Sequence, residues 1–232
     1  MALADYQTLV DSMVRDQSGT VTSDDRDRAI ELARLRYSGD AERQLTQDVT
    51  WLYDGAVGPM PAGWTDGAYL LDWEWPIGTL QRSGLNLAVY VTPTGVQLMA
   101  DIDLPVGTVV RVRFGVLHTL AAGGDTQDTI PTRHREAVAS YAAHLLCRQL
   151  AAYFSGERES SIGADGSNTD SRARNYSARA KEYRAAYFGG LGIADPQASG
   201  ASGASSFVGQ PAASVTSWPG RSRYSLTRRG LQ

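Results

Sequence analysis

The chain is poor in cysteine, histidine and lysine. It has one cysteine, Cys147, which excludes an internal disulfide and any metal site built on several thiolates. It has three histidines, His118, His134 and His144, and no G-x-S-x-G elbow to present a nucleophile to any of them. It has one lysine, Lys181, so almost all positive charge is arginine, the residue suited to bidentate carboxylate or phosphate contacts. No run approaches the ~18 consecutive apolar residues that a membrane-spanning helix requires. The opening stretch, "MALADYQTLVDSMVRD", has no basic region followed by an apolar one, so no signal peptide is expected. These shortages together predict a protein of a reducing, soluble compartment with no membrane partner.

The few chemical candidates are weak in their own context. Cys147 stands three residues after His144, which places both on one helical face. Their neighbours Ala143, Leu145 and Leu146 make that face an apolar stripe, where a thiol normally packs. His134 and Arg135 fall in a first helical turn and are expected to be solvated. "GGLG" at 189–192 follows a helix rather than a strand, which makes it a helix stop and not a phosphate cradle. "DGSNTD" at 165–170 has neither the oxygen spacing nor the final Glu of a calcium loop; Asn168 or Asp170 is expected to cap the next helix. Trp51, Trp64, Trp73 and Trp75 are numerous enough for a sugar site, but no paired polar readers accompany them. No catalytic residue, cofactor or metal is expected. A hydrolase using His118 or the His144/Cys147 pair remains one alternative, and a DNA-binding module another.

The organisation is clearer. Leu3, Tyr6, Val10 and Met13 recur at helical spacing, and Thr22 or Ser23 can cap a second helix that buries Ile30, Ala33 and Tyr37. From Asp48 the period shortens to two. "DVTWLY", "AYLLDWEW", "LNLAVYV", "VQLMADI" and "TVVRVRF" read as strands separated by Gly- and Pro-rich turns. Helices return after Pro131, with Thr132 as the expected N-cap. The second of them carries Ala173, Tyr176, Ala180, Tyr183 and Tyr187 in a narrow stripe suited to antiparallel packing on Leu145 and Leu146. The expected fold is α+β: mainly a helical bundle with an inserted small antiparallel β unit and an extended C-terminal tail. Its parts are N-terminal helices over 1–48, a β-rich insertion over 49–130, a helix pair over 131–190 and the tail over 191–232. Four tryptophans exceed what a β unit of this size needs for its own core, so Trp73 and Trp75 are expected to contact another subunit or ring.

The tail from Ala198 to Gln232 contains no Asp or Glu. It is Gly, Ser and Ala interrupted by Phe207, Trp218, Tyr224 and Leu226, and its end carries Arg221, Arg223, Arg228 and Arg229. Such a segment cannot build a core of its own.

One order of parts is distinctive. A strand enters His118-Thr119-Leu120, then Thr129-Ile130-Pro131 leads into an Ala-rich helix. A polar break follows, and then the helix bearing Tyr176, Ala180, Tyr183 and Tyr187. In this order the chain resembles the head–tail connector (adaptor) proteins of tailed bacteriophages over about 110 residues. The resemblance implies a non-enzymatic virion protein of the neck, present in the host cytoplasm during assembly. It implies a ring of neighbouring copies, usually twelve, bound beneath the portal protein. That ring extends the DNA channel without reading its sequence and offers a platform to a stopper or tail-completion protein. It also implies that the C-terminal segment climbs onto the portal, with Phe207, Trp218, Tyr224 and Leu226 as anchors and Arg221, Arg223, Arg228 and Arg229 meeting carboxylates. A head-closure or tail-completion protein of the same neck is the alternative within the class. Such proteins are usually shorter and more wholly β than a chain ending in a long helix pair.

Overall fold

Secondary structure follows the two periods in the sequence. The computed structural model describes residues 3–16, 18–78, 84–93, 95–121, 127–156 and 166–197, with the backbone alone described for 166–171. Helix α1 (Leu3–Val14) buries Tyr6, Val10 and Val14, one residue per turn. Helix α2 (Ser23–Asp40) starts in a capping box: Asp25 N–H donates to Thr22 Oγ1 at 3.1 Å, and Thr22 N–H donates back to the Asp25 carboxylate at 3.2 Å. It buries Ala29, Ile30, Ala33 and Tyr37.

Six strands follow: β1 (Arg43–Thr50), β2 (Gly55–Gly58), β3 (Tyr69–Glu74), β4 (Leu87–Thr92), β5 (Gly95–Leu104) and β6 (Val109–Val116). They form two antiparallel three-stranded sheets, ordered β1-β6-β3 and β2-β5-β4. Alternation along β6 separates the faces. Val110, Val112 and Phe114 point into the core, while Arg111 pairs with Asp48 of β1 and Arg113 with Asp72 of β3 on the solvated side. Trp51, fully buried, follows β1 and donates its indole N–H to Gly55 O at 3.2 Å.

A 3₁₀ turn (Thr132–His134) opens the second helical region. Helices α3 (Arg135–Gly156) and α4 (Gly166–Leu191) then pack antiparallel, with Ala137 against Gly190, Tyr141 against Tyr187 and Phe154 against Tyr176. The side chains of Ala137, Val138, Ala142, Leu146 and Leu150 join those of α1 and α2 in one core. Residues Met1–Ile193 form one unit; the second, Ala194–Gln232, is described only as far as Gln197, whose N–H donates to Asp195 Oδ1 at 2.9 Å.

The expectation of a mainly helical bundle with a small insertion is overturned. Six antiparallel strands in two sheets stand beside four helices among the described residues, which makes the fold an even-handed α+β. The physical reason is a second core. Trp51, Leu85, Leu98, Leu104, Val110, Val112 and Phe114 are buried together, separately from the helical cluster, so the β part closes on itself. Local boundaries also move. β1 begins at Arg43 rather than near 49, and β2 answers to no strand expected from the sequence. Thr132 makes no side-chain cap and lies inside the 3₁₀ turn; α4 already begins at Gly166, so neither Asn168 nor Asp170 stands at its N-cap.

Candidate functional site

The two motifs that carry the resemblance meet in space as a hydrogen-bonded clasp. His118 N–H donates to Ser38 Oγ at 3.0 Å, and the imidazole lies between Ala41 O, 2.9 Å from Nε2, and Thr129, whose O and Oγ1 are both 3.2 Å from Nδ1. Thr119 N–H donates to Thr129 Oγ1 at 2.9 Å, and Thr129 N–H donates to Thr119 O at 3.1 Å. Burial lowers the His118 pKa below its ordinary value, against the pull of its backbone acceptors, and so favours the neutral ring. His118 thus ties the exit of β6 to the end of α2 and the entry to α3. Beside it, the Asp128 side chain is almost wholly buried; it accepts from Tyr6 Oη–H at 3.3 Å and Ile130 N–H at 2.9 Å and forms an ion pair with Arg135, whose Nε lies 3.1 Å away. Tyr6 is pushed up chiefly by burial and then by the Asp128 charge.

The expected solvation of His134 and Arg135 does not hold. His134 Nδ1 is 2.7 Å from Tyr37 Oη, and Arg135 turns inward to Asp128. Neither Asp128 nor Tyr6 was legible as a partner, because they lie 122 positions apart in sequence. The His144/Cys147 pair is buried: His144 Nδ1 lies 2.7 Å from Ala180 O, and burial pushes the Cys147 thiol up to about 11, far from thiolate formation near neutrality. Among the described residues no cluster of three or more His, Cys, Asp or Glu is placed to hold a metal, and no helix is long and apolar enough to cross a membrane.

The residues expected at the α3–α4 seam all lie in or against the helical core. Leu146, Ala180 and Tyr187 are buried, and Leu145, Tyr176 and Tyr183 are half-buried against the same core. Two tyrosine hydroxyls reach beyond the pair: Tyr183 Oη–H donates to Met13 O at 2.6 Å and Tyr187 Oη–H to Asp40 Oδ2 at 2.7 Å. Trp73 and Trp75 are half-buried against the β core, and the Trp73 indole N–H donates to Leu85 O at 2.6 Å, which anchors the approach to β4. Trp64 leans on Phe114, with 5.5 Å between ring centroids. Phe207, Trp218, Arg221, Arg223, Tyr224, Leu226, Arg228 and Arg229 lie outside the described residues.

The surface that stands out is the β4–β5 hairpin. Its ladder runs unbroken from Leu87↔Ala100 to Thr92↔Gly95, and Gly95 at φ 150° turns where an L side chain rarely can. Asn86 N–H and Nδ2–H both donate to Asp101, at 2.9 and 2.8 Å, and these bonds hold the Asp101 carboxyl below its ordinary pKa. On the core-facing side burial fails progressively toward the tip: Leu98 is fully buried, its partner Val89 is 38% exposed, and the next pair, Val91 and Val96, are 74% and 40% exposed. The other side carries Tyr90 at 44%, Met99 at 40% and, opposite Met99 on β2, Val57 at 41%. The outer half of the hairpin therefore overhangs its core, with exposed Val89, Val91 and Val96 on one face and Tyr90 beside Gln97 on the other. Between Leu85 and Val110 the only charged residues are Asp101 and Asp103. A contiguous uncharged patch of this kind is unusual on a chain that acts alone and suits a protein contact.

Two clefts lie elsewhere among the described residues. One of about 320 Å³ is lined by Leu3, Ile30, Arg34 and Leu120, the other of about 360 Å³ by Asp11, Arg15, Val21 and Arg26. Among the described residues neither lining holds a histidine, cysteine or lysine. The chain matches no family model, and no curated protein is significantly similar to it.

Proposed function

We propose that the protein is a structural connector of the tailed-phage neck. It is an adaptor that forms a ring beneath the portal, extends the DNA channel and presents a platform to a stopper or tail-completion protein. The order of parts around His118-Thr119-Leu120, Thr129-Ile130-Pro131 and the α3–α4 pair supports the class. The single observation that carries a docking role is the hairpin. A two-faced apolar arm, stiffened by the Asn86–Asp101 bonds and the Trp73 anchor, is built to touch protein rather than substrate. The long α3–α4 pair favours an adaptor over a head-closure or tail-completion protein. The C-terminal segment, acid-free and arginine-rich, is the proposed portal-binding element.

The test uses purified portal and the full chain. Binding is expected, and deletion of residues 206–232 is expected to abolish it while the thermal melt stays that of the parent. Replacing Arg221, Arg223, Arg228 and Arg229 with Gln is expected to weaken binding and flatten its salt dependence. A truncated chain that docks with parental affinity refutes the tail's role; a full chain that never docks refutes the adaptor reading.

A further inference from the structure

Each sheet has two edge strands, and a free edge is a template for another strand unless something blunts it. Three of the four edges are blunted. β1 carries Arg43 and Asp48, β3 carries Asp72 and Glu74 and a register shift after Leu70, and β2 is four residues long with a shift of its own. Among the described residues β4 is the exception. Its sequence, LAVYVT, has no charge and no proline, and its ladder to β5 has no bulge. Four consecutive residues, Ala88 to Val91, are exposed.

We propose that β4 is a self-complementary edge: in the free protein, two copies of this chain pair β4 against β4 antiparallel and join their two three-stranded sheets into a continuous six-stranded sheet. Two observations select a second copy as the occupant, and a third sets the strength. An uncharged strand meets its own image without like-charge repulsion, whereas Asp101 and Asp103 lie one strand back on β5. Both faces of β4 are apolar as far as Val91, so Val89 and Val91 meet their counterparts on one face and Ala88 and Tyr90 theirs on the other. The area sets the strength. A Tyr offers ~150–250 Å² and a Val less, so at the exposures above the strand has at most roughly 300–400 Å² per copy to bury, no more than half of the ~800 Å² of a standard interface. The dimer is therefore weak and reversible. The pairing is independent of the neck reading, since it concerns the chain alone.

Symmetry makes the geometry testable. Paired residues of an antiparallel ladder point to the same face, so a twofold axis through β4 must place one residue directly opposite itself. Only there do two introduced thiols fall within the ~4.4–6.8 Å Cα separation a disulfide allows. Cys147 is buried and does not compete. Sedimentation equilibrium of the full chain from about 1 to 300 μM is expected to show monomer and dimer, with a dissociation constant of about 10–1000 μM. Val91→Lys, at a position 74% exposed, is expected to keep the parental melt and raise that constant at least about tenfold. Single cysteines at Ala88, Val89, Tyr90 and Val91 are expected to give disulfide-linked dimer strongly at one position and weakly at the others. A chain that stays monomeric across the range, a Val91→Lys variant that dimerises like the parent, or a flat cysteine profile each overturns the proposal.

Discussion

Tyr187 offers the sharpest test of how the helices are held. Its ring is fully buried between Tyr141, 4.8 Å away, and Phe188, 5.0 Å away, and its hydroxyl donates to Asp40 at the end of α2. Asp40 also receives Arg36 Nε at 2.7 Å. Tyr187→Phe removes one hydrogen bond to a charged acceptor, worth about 1.5–3 kcal/mol; because Arg36 still serves Asp40, the lower end, about 1.5–2 kcal/mol, is expected. In a body of this size ~1 kcal/mol moves the midpoint by roughly 2–4 °C, so the melt falls by about 3–8 °C. Tyr187→Ala adds an aromatic-sized cavity and costs about 3–5 kcal/mol. The assay is urea unfolding followed by circular dichroism, on the single variants and on Tyr187→Phe combined with Asp40→Asn. The two changes share one bond, so the double variant is expected to be less destabilised than the sum of the singles by ~1 kcal/mol. Strict additivity, or a Tyr187→Phe variant as stable as the parent, would show that α4 does not lean on α2 through this bond.

Other tests probe the β core, the clasp and the hairpin. Gly58→Ala would place a Cβ 2.5 Å from the Trp51 ring, so it is expected to destabilise the sheets by about 3 kcal/mol, read as a lowered urea midpoint. His118 has a folded pKa below its ordinary 6.5. As pH falls the unfolded chain takes the proton first, so the stability this group contributes is complete above ~6.5 and is lost as the pH drops through that value toward the folded pKa. His118→Gln is expected to flatten that part of a stability–pH curve, leaving a smaller slope of the same sign from His134, which is lowered by burial and by Arg133. Trp73→Phe removes the indole bond to Leu85 O and is expected to cost about 1 kcal/mol and to speed amide exchange in β4, measured by hydrogen exchange.

Elements with a strong local period were legible along the chain. α1 and α2 showed their apolar stripes and the Thr22 cap, and the heptad-like tyrosines of α4 announced a packing seam that does run against α3. Four of the strands lie where β-branched and aromatic runs alternate. β2 was invisible because Gly55-Ala56-Val57-Gly58 has no pattern of its own and is strand only by pairing with β5. The early start of β1 was hidden because Arg43, Gln44, Thr46 and Gln47 are polar; the strand is recruited by the register Arg43↔Val116 through Thr50↔Val109 with β6. The hairpin was read as strands but not as a surface, since Val89 and Leu98 look alike in a sequence and differ only in what covers them.

The sequence by itself determined the helices, the turn positions, the scarcity of histidine, cysteine and lysine and the acid-free, arginine-rich C-terminal segment, because each of these rests on residue type and local spacing. Tertiary structure alone decided three things. It divided the apolar residues into two cores rather than one, which turned an expected bundle with an insertion into a balanced α+β fold. It drew Tyr6, Asp128 and Arg135 into one buried polar group, and seated His118 between Ala41 and Thr129 as a clasp. It carried the end of the β4–β5 hairpin past the edge of its core, so that valines with ordinary core identity became surface. All three depend on which distant segments come to lie together, and burial is a property of that arrangement rather than of any residue taken alone.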